Sequence, residues 1–209
     1  MKPMKSLKYL LSIAALTGAL TLSASASFNI DPDPGGSKLF IDVANKNVSD
    51  FEGFVGKNNS SFPHVDIHTT GNVDTGSGFA NIKPVKDGSL TELIFTPEDP
   101  NLFADFSFRG QLNAAAGGTV TVTVQDNQGG LPQTFVFTGL GKNKDFARQG
   151  IISLDGETIQ SVTLTSDFKE VKQIVVSFAP GGVPDSGATA MLLGSGLAAI
   201  GLVRRYLKR

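Results

Sequence analysis

The chain contains no cysteine, no tryptophan and only 2 histidines. Without cysteine it has no disulfide, no thiolate zinc site and no thiol nucleophile, so cysteine usage does not fix the redox compartment. Without tryptophan, and with its two tyrosines at Tyr9 and Tyr206 near the ends, it is poorly supplied with the rings that usually stack on sugars. Between residues 27 and 182 there are 11 basic against 18 acidic residues and no basic cluster. Such a body repels phosphate backbones, which argues against nucleic-acid binding. No internal repeat and no helical apolar stripe appears in that body, and the chain lacks a Gly-x-Ser-x-Gly elbow, the Gly-Ser-Gly at Gly194 lying in the apolar C-terminal run.

What is present is a phenylalanine-rich middle between two unlike ends. All 15 Phe lie in that middle, enough aromatic volume for a core that has no disulfides to help it. At 209 residues the chain suits one domain with tails.

The N-terminus reads Lys2, Lys5 and Lys8, an apolar run over 9–22, then Ala24 and Ala26 at the minus-three and minus-one positions. A positive start, a short apolar stretch and small residues before a cut predict a secretory signal over 1–26, helical in its apolar run and cleaved after Ala26 by signal peptidase. At the other end, 187–203 holds 17 residues without a charge, roughly 25 Å of helix at about 1.5 Å per residue. The bilayer core is about 30 Å thick, and interfacial Arg and Lys side chains make up the difference by snorkelling. Apolar residues run all round that segment, which excludes an amphipathic surface helix. We therefore expect a transmembrane helix over 188–203 and a cytoplasmic basic tail over 204–209. Arg204, Arg205, Lys208 and Arg209 orient it, because positive charge stays inside.

Val183, Pro184, Asp185, Ser186 and Gly187, followed by that glycine-rich helix and the terminal Arg/Lys cluster, resemble the tripartite C-terminal sorting signal of PEP-CTERM proteins, in its VPDSG variant. The resemblance implies recognition by an exosortase, which cleaves near such motifs. It also implies a precursor anchored in the inner membrane with its domain in the periplasm, then delivery to the cell surface or an exopolysaccharide matrix. In that reading the five residues are a substrate and not a catalytic site.

The middle alternates with period two. Runs at 38–44, 102–109, 119–125, 134–138, 158–165 and 171–178 put apolar residues on one face, and weaker runs fall at 63–69, 79–84, 91–95 and 150–154. Turn residues such as Asp155-Gly156 and 126–130 separate them. About ten short strands so spaced predict an all-β fold, an antiparallel β-sandwich of jelly-roll type over 37–179. Residues 27–36 and 180–187 read as linkers, the second carrying the sorting motif. The body also resembles, loosely, the β-rich bodies that precede PEP-CTERM tails.

Several constellations invite chemistry. In a strand over 63–69, His64, Asp66 and His68 share one face at about 6.5–7 Å spacing, a donor set suited to zinc or a similar ion. A strand with a solvated outer face gives the same alternation. Asp74 to Ser77 spells the Asp-Thr-Gly-Ser of aspartic proteases, but that chemistry needs two such carboxylates, so a glycine-rich turn is expected. Asp31 with Asp33, and Asp155 with Glu157, offer oxygens to calcium, which takes six to eight. Enzymatic activity is not expected. The expected role is structural or adhesive, the alternative a carbohydrate-binding module for exopolysaccharide, with Phe146 and Phe168 as its candidate exposed rings.

Overall fold

The computed structural model describes residues 27–179 apart from 57–62, 87, 99, 115–116, 142–144 and 155. The signal segment with Ala24 and Ala26, the VPDSG motif, the apolar helix and the basic tail lie outside the described residues. Among the described residues no helix is long and apolar enough to cross a membrane.

Twelve strands follow one another: β1 Phe28–Ile30, β2 Ser37–Ile41, β3 Val48–Val55, β4 His64–Thr75, β5 Gly78–Phe79, β6 Asn81–Pro84, β7 Leu90–Pro97, β8 Phe103–Leu112, β9 Gly118–Asp126, β10 Gln133–Leu140, β11 Gln149–Ser153 and β12 Ile159–Phe178. Hydrogen bonds link all of them into one folded-over sheet. The first layer runs β10, β9, the start of β12, β7, the start of β4, β3. The second runs β1, β11, β8, the end of β12, β6 and the end of β4, and β2 closes one side against β3 and β12. Partner numbers fall from Leu112 to Phe103 in β8 as β12 rises from Phe168 to Phe178, so these strands run in opposite directions, with an isolated parallel bridge from Ile159 to Phe103.

The alternation seen in the sequence fills the space between the layers. Val120, Val122 and Val124 of β9, and Val162 and Leu164 of β12, are sealed, while the threonines between them face outward. Phe95 of β7 meets Phe106 of β8 at 5.0 Å between ring centres, one ring from each layer. That contact makes the fold a β-sandwich. A fully buried Phe contributes on the order of 1.5–3 kcal/mol by leaving water, and Phe95, Phe103, Phe106, Phe108 and Phe168 are all sealed.

Three expectations need correction. Residues 158–165 and 171–178 are not two strands but one, β12, of 20 residues. Phe168 is sealed in the core at the join, and Asn113 donates to the Asp167 carbonyl (3.0 Å) and carboxylate (2.7 Å), so the polar stretch between the two runs has partners and need not loop out. Residues 27–36 are not a free linker. Phe28 is buried, β1 pairs with β11, and the Asp31 backbone lies so close that a Cβ at Gly150 would sit 2.5 Å from its carbonyl oxygen. Residues 48–55, which show no strict alternation, form β3.

Candidate functional site

The outer face of the first layer gathers the chemistry. His64, Asp66 and His68 do project from one face of β4, since Val65 and Ile67 between them and Thr69 after them are buried. Across β3, Asp50 stands opposite His68 and Glu52 opposite Asp66. On the other side of β4, His68 pairs with Ile94 and Asp66 with Thr96 of β7. Asp50, Glu52, Asp66, His68, Ile94 and Thr96 line a shallow concavity of about 450 Å3. The row continues from Ile94 to Thr163, Thr123 and Thr134, so one line of side chains crosses from β3 to β10.

The histidines turn to carboxylates on the neighbouring strand. His68 Nδ1 lies 2.6 Å from Asp50 Oδ1, which puts the ring hydrogen on Nδ1 whenever Asp50 is ionised. His64 Nδ1 lies 3.4 Å from Glu52 Oε2. Hydrogen bonds from the Ser49 hydroxyl, at 2.6 Å, and then from His68 hold the Asp50 carboxyl below the usual carboxylate range. Among the described residues no group of three or more His, Asp or Glu is gathered to hold a metal ion. Along-strand neighbours on one face stand about 6.5–7 Å apart, too far to share one ion without the side chains converging. The geometry fits a solvated, internally paired face.

The other candidates have structural partners. Asp74 of the Asp-Thr-Gly-Ser stretch accepts from Lys46 Nζ and the Asn47 amide, each at 3.1 Å, and these bonds lower its carboxyl, the lysine's most. It thereby ties the turn before β3 to the end of β4. Asp31 accepts from the Asp33 amide at 2.9 Å, a local Asx turn. Glu157 accepts from the Ser27 backbone N–H, and Asp155 lies outside the described residues. Phe146 and Phe168 are 4% and 0% exposed, which removes them as rings for stacking on a sugar. They belong to the core because Phe146 folds over Phe108 edge-on. The residues that sequence reasoning missed are Asp50 and Glu52. Their signal was the alternation Asp50-Phe51-Glu52, obscured by Gly53 and Phe54, where the apolar residues of β3 stop alternating.

A second polar group lies over β8 and β12. Lys172 Nζ is 2.7 Å from Asp145 Oδ2, Gln111 Nε2 donates to Asp145 Oδ1 at 2.5 Å, and the lysine's bond first, then the amide's, lowers that carboxyl. Glu170, 8% exposed, has Lys83 and Lys172 each 3.8 Å away.

Comparison with known proteins bears on the tail more than on the body. Residues 182–207 match the VPDSG-CTERM motif. The chain ends in a PEP-CTERM-like sorting signal. That signal implies an exported, membrane-anchored precursor and is consistent with exosortase processing. No curated protein matches the chain. Among solved structures, a mutant of CBM29-2, from work on ligand recognition by family 29 carbohydrate-binding modules, is similar at a TM-score of 0.35 and 12% identity, over 74% of this chain and 93% of that one. So slight a likeness carries nothing about function.

Proposed function

We propose that this is a non-enzymatic exported protein whose jelly-roll-type sandwich serves as a structural or adhesive component of the cell surface or extracellular matrix. The observation that carries the reading is the VPDSG-CTERM motif over 182–207 at the end of a chain with a compact folded body. Signal peptidase removes 1–26, the helix over 188–203 holds the precursor in the inner membrane with the body in the periplasm, and an exosortase cuts near Pro184 and Asp185. The body suits that route. Its packing needs no disulfide, and cleavage after Ala26 would make Ser27 the first residue of the mature chain. The ammonium so created would sit beside the Glu157 carboxylate that already accepts from the Ser27 nitrogen. The imidazoles and carboxylates of the β3–β4 face are paired with one another on an open surface, which supports a binding or structural role over acid–base catalysis.

A second reading, recognition of exopolysaccharide, is favoured by the concavity between β3, β4 and β7, where carboxylates flank Thr96 and Ile94. Without exposed stacking rings among Phe146 and Phe168, such binding would go through hydroxyl contacts and be weak. Replacing Pro184 and Asp185 together by Ala tests the main reading. The full-length chain should then accumulate in the membrane fraction while the unaltered chain leaves it; equal release of both would overturn the route.

A further inference from the structure

A β-strand at the edge of a sheet presents alternate N–H and C=O groups with no ladder partner, and proteins that remain single normally guard such edges with charge, proline, bulges or brevity. Among the described residues three edges are guarded. β1 has 3 residues and β5 has 2. β3 pairs with β2 only at Phe54 and Val55, and its remaining edge carries Asp50 and Glu52. β10 is different. It has 8 residues, pairs with β9 alone, and contains neither a charge nor a proline. Its register with β9 shifts between Phe137 and Leu140, but its first five residues, Gln133 to Phe137, keep an unbroken register and form the unguarded part of the edge. Val136 is 57% exposed, and Leu131 in the preceding turn is 90% exposed.

We propose that two copies of this chain join through β10, edge to edge and antiparallel, so that the first layer becomes one sheet across the pair. Charge selects an identical molecule at this place. The body is acidic and two copies repel elsewhere, yet between Arg109 and Lys142 the only charged residue is Asp126. Asp126 is 3% exposed and occupied in its own turn, accepting from the amides of Gln128 at 2.8 Å and Gly130 at 3.0 Å. The β9–β10 hairpin is therefore a neutral window through which a second acidic body can approach without like charges meeting. The strand is also self-complementary. A two-fold axis at Phe135, the midpoint of the unbroken register, sets Phe135 against Phe135 of the second copy on the inner face. On the outer face it sets Thr134 against Val136 of the second copy, a β-branched pair of the kind that strengthens strand pairing. Such an interface is isologous and closes at a dimer. The pairing goes beyond the sorting route, since it depends on β10 and not on the tail.

The absence of cysteine makes the test direct. Full-length chains bearing Thr134→Cys and Val136→Cys, both at exposed positions, are oxidised singly and as an equimolar mixture in detergent micelles, after circular dichroism has confirmed the fold. Residues directly opposite have Cα atoms about 4.5–5.5 Å apart, within disulfide reach, whereas like positions are displaced along the strand beyond about 7 Å. The proposal expects the mixture to give cross-linked dimer well above either variant alone. It also expects Val136→Lys to weaken dimerisation in sedimentation equilibrium about tenfold or more, since that lysine interrupts the neutral edge. Equal cross-linking in all three samples, a monomer at every concentration, or a dimer indifferent to Val136→Lys, as association through the apolar tail would be, would overturn it.

Discussion

The two long edges of the first layer, β3 and β10, end the same sheet by opposite means. β3 turns Asp50 and Glu52 outward and ties them to His68 and His64 of the next strand. β10 turns Thr134, Val136 and Thr138 outward and carries no charge. Between them lie the same sealed strands, so the contrast belongs to the edges and not to the core. One edge is built to stay in water; the other has the composition of a strand waiting for a neighbour. In an acidic protein the uncharged patch is the informative one.

The largest perturbation should erase the contrast. Phe95→Ala removes a sealed ring that spans the layers to Phe106 and should cost about 3–5 kcal/mol, read from the denaturant midpoint, with amide exchange quickening at both edges together. A smaller change should separate them. Gly53→Ala sets a Cβ 2.9 Å from the Leu39 side chain, an overpacking cost of about 1–3 kcal/mol, and exchange should rise along β3 while β10 holds.

Acid should separate them too. Asp50 and Asp74 are both held below the ordinary 3.8, so each contributes stability that is present above that value and lost as pH falls through its lower folded value. Between pH 5 and pH 2 (about the range where carboxylates protonate) protection from amide exchange, measured against the intrinsic rate at each pH, should therefore fall in β3 and its leading turn first. Ser49→Ala and His68→Ala should each move the Asp50 midpoint upward in a carboxyl-carbon NMR titration. The smallest effect is expected at the other edge, where Val136→Lys should leave folding stability within about 0.5 kcal/mol.

The architecture was legible where alternation was strict. Thr121 and Thr123 against Val120, Val122 and Val124 announce a half-buried strand, and that strand is β9. It was illegible where bulges interrupt the period. The register shifts between Thr165 and Phe168 and a left-handed Gln173, φ 52°, break the pattern of β12 without breaking the strand. The site was half legible. His64, Asp66 and His68 fall on one face because period two places them there. Their carboxylate partners come from β3, whose pairing with β4 is a matter of register across strands that no single segment encodes. Phe146 and Phe168 show the converse: acidic neighbours in sequence do not keep a ring in water when tertiary packing offers it a pocket.

The central claim is that a folded body lies between two removable addresses, and the intact mass of the protein recovered from its own cells tests it most directly. The account predicts a product that begins at Ser27 and ends near Pro184 and Asp185. A mature protein that still carries Arg209 would contradict it.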